Sequence, residues 1–131
     1  MRRTLASVVG AMVLLALAAN GHAQSALADR IQAGDRNAAL AMIAAGADVN
    51  QTQPDGSTPL HWAAYRVDRE LVNALLRKGA RARVVNRYGA SPLAEAVKVA
   101  NADLVGMLLE AGADANVAND DGQTPLMLAA R

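Results

Sequence analysis

Apolar residues in this chain fall in short stripes with helical spacing, and the stripes recur. Leu60, Ala63 and Ala64 stand at i, i+3 and i+4, and so do Leu93, Ala96 and Val97. Each trio predicts the buried face of a short helix. A second stripe follows each one: Leu71, Val72, Leu75 and Leu76, then Leu104, Val105, Leu108 and Leu109. Polar residues stand where these helices must begin. Thr58 and Ser91 precede Pro59 and Pro92, whose missing N–H costs nothing in a first helical turn. Asp35, Asp68 and Asn101 are placed to cap the second helices, and Gly46, Gly79 and Gly112 to end them. Ahead of the first complete pair the same pattern runs more weakly. Leu27, Ala28 and Ile31 mark one helix and Leu40, Met42 and Ile43 the next, divided at Gly34-Asp35.

The spacing is constant. The phrase from Gly56 to Ala64 returns from Gly89 and again from Gly122, every 33 residues, and the caps at 35, 68 and 101 keep the same step. A fixed period of this size predicts a stack of identical supersecondary units, each burying its apolar face against its neighbours. Gln53-Pro54-Asp55-Gly56 supplies a tight turn ahead of the first complete helix pair. The units read as residues 24–52, an N-terminal capping unit; 53–85, unit two; 86–118, unit three; and 119–131, a truncated fourth. The first unit lacks the Thr-Pro-Leu phrase, a departure expected of a terminal unit with one face in water. The fourth breaks off at Arg131, before the second helix that would cover Leu126 and Ala130. The sequence therefore reads as a fragment of a longer protein, or as one whose open face a partner covers.

These residues resemble the ankyrin repeat family. Asp-Gly-x-Thr-Pro-Leu-His-x-Ala-Ala stands at Asp55 to Ala64, Leu-Val-x-x-Leu-Leu at Leu71 to Leu76, and Gly-Ala-Asp-x-Asn at Gly112 to Asn116. The resemblance covers residues 24–131. It implies an all-α repeat solenoid of ankyrin helix-turn-helix units with β-hairpin fingers, about three units plus the truncated fourth. It also implies work as a protein-binding scaffold rather than an enzyme. Two departures stand out. Ala94 replaces the histidine seen at His61, which removes one hydrogen-bonding anchor. Arg81 and Arg83 stand where the neighbouring units keep Asp48/Asn50 and Asp114/Asn116.

Composition narrows the chemistry. The chain has no Cys, which excludes disulfides, thiolate metal sites and Cys nucleophiles together. With no Phe, one Trp and two Tyr, the core must be built from Ala, Leu and Val, as suits closely stacked helices. A net charge of +1 provides no global field toward nucleic acid or a membrane surface. Arg2 and Arg3, the apolar stretch from Leu5 to Ala19 and the small-residue segment Asn20-Gly21-His22-Ala23 read as a secretory signal peptide, residues 1–23, cut before Gln24. The stretch is shorter than the roughly 20 residues that span a bilayer. Its loss takes away two arginines and no acids, leaving a mature net charge of −1. The expected location is periplasmic or secreted; the alternative is a membrane anchor through an uncleaved signal.

Little here suggests catalysis. His61 is the single His of the mature chain, so a histidine metal cluster is excluded and a triad would rest on it alone. It reads instead as a tie from its own helix start to a neighbouring backbone group. Asp120-Asp121 reads as solvated turn residues, and no glycine-rich phosphate loop occurs. The expectation is no catalytic residue, cofactor, metal, small-molecule substrate or nucleic acid. The resemblance places partner binding on the finger tips and the exposed side of each first helix. Trp62, Tyr65 and Tyr88 map there, with Arg66 and Arg87 beside them. Trp, Tyr and Arg dominate interface hot spots because they bury large area and keep a polar handle. For Trp62 the alternative is packing over neighbouring helices. Arg77, Lys78, Arg81 and Arg83 form a possible patch for an anionic partner, or a solvated face that complements a helix C-terminus. Two other functions stay open at this point: an N-terminal accessory domain of a longer enzyme, and a self-assembling structural protein joined through the fourth unit.

Overall fold

The computed structural model describes residues 26–130. The signal peptide at residues 1–23 and its cut before Gln24 lie outside these residues. Helix α1 (Ala26–Gln32) pairs with α2 (Arg36–Ala44), α3 (Pro59–Tyr65) with α4 (Arg69–Arg77), and α5 (Pro92–Lys98) with α6 (Ala102–Glu110); α7 (Pro125–Ala129) follows. The first helices α1, α3, α5 and α7 lie side by side in one layer, and the second helices α2, α4 and α6 in another. This is a helical repeat solenoid.

The caps form as their side chains dictate. Leu71 N–H donates to Asp68 Oδ1 at 3.1 Å and Leu104 N–H to Asn101 Oδ1 at 3.1 Å. Asp35 does the same for Ala38 at 3.4 Å, and Ser91 Oγ accepts from Ala94 N–H at 3.1 Å. Each satisfies an amide that the first helical turn leaves without an intrahelical partner. At the other end, Gly79 takes φ +89° and lets Ala80 N–H reach back to the Leu75 carbonyl at 3.0 Å. Gly46 and Gly112 repeat this geometry.

One continuous core runs from Leu27 to Leu108. Leu60, Ala63, Ala64, Leu75, Ala96, Leu104 and Leu108 are fully buried. Alanine at three of these positions lets neighbouring helices approach closely. Two sequence expectations need correction. Leu76, Val97 and Val105 are half-buried rather than buried, and Leu109 is 45% exposed. These residues lie at the edge of the core stripe. Among the described residues no further outer helix packs on α6, so Leu109 keeps one side in solvent. The fingers, secondly, are tight turns rather than β-hairpins, and no strand occurs among the described residues. Asn86 N–H donates to the Ala90 carbonyl at 2.9 Å, but the returning Ala90 N–H goes to Asn86 Oδ1 at 3.0 Å instead of its carbonyl. Asn119 captures Gln123 N–H in the same way. A side-chain acceptor thus takes the bond from which a ladder would grow.

Exposed ion pairs step along the outer layer with the period. Arg36 reaches Asp68 at 2.6 Å and also contacts Glu70, and Arg69, one repeat on, reaches Asp103 at 3.3 Å. A less favourable feature also repeats. The turn between the two helices needs a left-handed residue, which unit one fills with Gly34 at φ +83°. Units two and three fill it with Val67 at φ +57° and Ala100 at φ +55°. For a β-branched residue this conformation is strained.

Two stability predictions follow from this packing. Leu75→Ala or Leu108→Ala should cost about 2–5 kcal/mol as fully buried large-to-small changes. An unchanged chemical melt for both variants would contradict the assigned core. Val67→Gly, at an exposed site, should instead stabilise by about 0.5–1 kcal/mol as the strain is relieved, less the entropy glycine loses on folding. A lower denaturation midpoint for that variant would show that Val67 contributes more by packing than it costs in strain.

Candidate partner-binding site

The repeated phrase builds one wall of the site. Thr58 caps α3, and His61 three residues later answers it in a reciprocal capping box. Thr58 N–H donates to His61 Nδ1 at 3.0 Å, and His61 Nε2 lies 2.8 Å from the Ala90 carbonyl of the next unit. A carbonyl can only accept, so Nε2 carries the proton and Nδ1 is the acceptor. The ring is buried and neutral, and it fastens unit two to unit three. Burial pushes its pKa below the ordinary histidine value, against a smaller opposing pull from the Ala90 carbonyl and the Glu95 and Asp55 carboxylates. His61 is therefore the structural tie that the sequence led one to expect.

The finger of unit three is sewn to this wall. Arg87 N–H donates to the Asp55 carbonyl at 2.7 Å. Asn86 Nδ2 donates to Ser57 Oγ at 3.1 Å, and Ser57 Oγ donates to Asp55 Oδ2 at 3.0 Å. Asn86 Oδ1 accepts Tyr88 N–H at 3.0 Å, which fixes the backbone that presents Tyr88. The result is a groove of about 310 Å³ between α3, α5 and two fingers, lined by Asp55, Ser57, His61, Trp62, Tyr65, Asn86, Tyr88 and Glu95.

All three aromatics meet here. Trp62 and Tyr65 stand edge to face, with ring centroids 5.7 Å apart and planes at 86°. Tyr65 is 54% exposed and Tyr88 64%. Trp62 is half-buried and packs against the core, and its Nε1 donates to Gln53 Oε1 at 2.7 Å. It thus has the packing role weighed above while still lining the groove. Gln53 was not singled out from the sequence. Its Nε2 reaches Asp29 Oδ1 at 2.7 Å and Gln32 Oε1 at 2.8 Å, tying the Trp62 indole to unit one. The available signal was a break in the column Gln53, Asn86, Asn119, where the longer side chain cannot close the turn as asparagine does.

The arginines divide. Arg66 and Arg87 are exposed but do not line the groove. The Arg66 guanidinium donates to the Gln32 carbonyl at the end of α1. Arg83 Nε donates to the Gly112 carbonyl at 2.7 Å. One repeat earlier, Asn50 Nδ2 makes the same bond to the Gly79 carbonyl at 3.2 Å. Arg83 is a chemical change that keeps the structural task. Arg77 lies in the last turn of α4 and Lys78 at its C-cap, where cations complement the helix dipole. Arg81 is exposed, and its N–H donates to Asn50 Oδ1 at 2.9 Å. Among the described residues no group of His, Asp and Glu is arranged to hold a metal ion, and no helix is long and apolar enough to cross a membrane.

The His61 environment sets a pH dependence. Its folded pKa lies below that of the unfolded chain, so the folded state binds fewer protons. Stability is full above about pH 6.5 and falls as pH drops toward the folded value. Chemical melts at pH 7.5 and pH 5 should show this loss in the native chain. In His61→Ala they should show a lower starting stability but a smaller fall with pH. An equal fall in both would assign the dependence to other groups.

Comparison with known families agrees with the geometry. Residues 26–119 match the family model for ankyrin repeats, in three copies. No curated protein matches the chain. Ankyrin repeats typically bind other proteins and are generally non-catalytic. With helix pairs, N-caps and finger turns all recurring in register across most of its length, the chain belongs to the ankyrin repeat family.

Proposed function

We propose that this protein is a non-enzymatic protein-binding scaffold, exported from the cytoplasm, that engages its partner through Trp62, Tyr65, Arg66, Arg87 and Tyr88. The observation that carries the reading is the convergence of all three aromatics on one groove, with Tyr65 and Tyr88 more than half exposed. Beyond the edge contact of Tyr65 with Trp62, the folded chain leaves most of both tyrosine rings in water. A partner that buries them gains large apolar area, at low entropic cost because each ring has few rotors. Arg66 and Arg87, next to the tyrosines in sequence, would form part of the rim. Arg77, Lys78, Arg81 and Arg83 would meet acidic groups at the helix ends, with Arg83 the most constrained because its guanidinium already serves Gly112.

Export rests on the leader pattern at residues 1–23. A periplasmic or secreted scaffold is favoured over one held to the membrane by an uncleaved signal, because the apolar stretch is shorter than a span requires.

Two measurements test this reading. The combined variant Tyr65→Ala and Tyr88→Ala should fold normally, since both rings are exposed, yet lose at least tenfold in capture of a partner from periplasmic extract. Undiminished capture would remove the groove from the site. Mass measurement of the exported protein should give a chain starting at Gln24. A cytoplasmic, full-length product would end the export proposal.

A further inference from the structure

We propose that the groove between units two and three recognises an arginine side chain presented by the partner, held between the tyrosine rings with its guanidinium on the carboxylates of Asp55 and Glu95. The inference deepens the scaffold reading and rests on it.

Charge complementarity carries the proposal. Two carboxylates line the groove together with three aromatic rings, and no cationic side chain is among the lining residues. An aromatic face attracts a cation through its quadrupole, and arginine is the cation most often found there. A planar guanidinium can stack on a ring and present its N–H groups to carboxylates at the same time, which an ammonium cannot do as well.

The carboxylates have capacity for this. Asp55 accepts Ser57 N–H at 2.9 Å on Oδ1 and the Ser57 hydroxyl at 3.0 Å on Oδ2. A carboxylate has about four acceptor sites, so two such bonds orient Asp55 without saturating it. Glu95 has Lys98 Nζ at 3.5 Å from one oxygen, and that lysine is about half exposed. The Glu95 side chain itself is only 17% exposed, and 3.5 Å is longer than a charge-assisted hydrogen bond, so the half-exposed lysine can give way to a stacked guanidinium. His61 contributes no opposing charge, because both ring nitrogens are engaged in the neutral form.

The same geometry provides its own reporter, since Trp62 is the chain's single tryptophan and lines the groove. The experiment is a fluorescence titration of the folded protein with N-acetylarginine amide and with its neutral isostere, N-acetylcitrulline amide. The arginine amide should produce a saturable change in Trp62 emission, and citrulline amide should bind at least fivefold more weakly. Glu95→Gln and Tyr88→Ala, each checked for native helicity, should both weaken arginine binding at least threefold. Equal responses to the two amides, or an arginine titration unaffected by both variants, overturns the proposal. Capture separates it from the scaffold reading. A partner lost in Tyr65→Ala with Tyr88→Ala, but fully retained by Glu95→Gln, overturns the arginine assignment and leaves the scaffold standing. The scaffold reading fails separately, when no capture depends on either tyrosine.

Discussion

Burial of the inner first helices, α3 and α5, between two neighbours is the constraint on which the whole stack rests. Helix α3 packs on α1 to one side and on α5 to the other, and this leaves Leu60, Ala63 and Ala64 with no exposed surface. The alanines matter as much as the leucine, because a larger side chain there would hold the layers apart. Close approach then brings backbone groups of adjoining units within hydrogen-bonding range. It is why a histidine on α3 can reach a carbonyl in the next finger, and why an asparagine or arginine in one loop can reach a glycine carbonyl in the next. Hydrophobic contact sets the spacing, and polar contacts fix the register.

The polar contacts also show what a repeat preserves. Asn50 and Arg83 occupy one column, differ in size and charge, and donate to equivalent carbonyls. Asp68 and Asn101 differ in charge and make the same cap. The conserved quantity is a bond at a given place rather than a residue type. Where the bond itself changes, a local feature emerges. Gln53 stands in the column of Asn86 and Asn119, reaches past its own turn, and holds the Trp62 indole in position to form the groove.

Much of this was legible in the sequence. Caps, helix stops, proline starts and the buried leucines are local or strictly periodic, and spacing alone locates them. The role of His61 was legible too, since a polar residue set in a recurring scaffold phrase is more economically a tie than a catalyst. The convergence of Trp62, Tyr65 and Tyr88 was anticipated, but their grouping around Asp55 and Glu95 was not. Neither carboxylate stands out along the chain, and they meet only when one unit is laid against the next. The absence of finger strands was missed because it depends on one asparagine oxygen intercepting one amide. The exposure of Leu109 was missed because the leucine stripe looks identical in both units, and only the presence of a covering helix distinguishes them.

One departure from the repeat has a consequence for how the molecule comes apart. Ala94 stands where His61 stands one unit earlier, so the joint between units three and four lacks the imidazole bridge that locks units two and three. Nearest-neighbour stacks lose order first at their weakest joint. The joint between α5 and α7 would therefore open more readily than the joint between α3 and α5. The backbone amides of α7 would exchange with solvent well before those of α3. The groove lies between units two and three, so the joint beyond α5 can open while the aromatic site stays assembled.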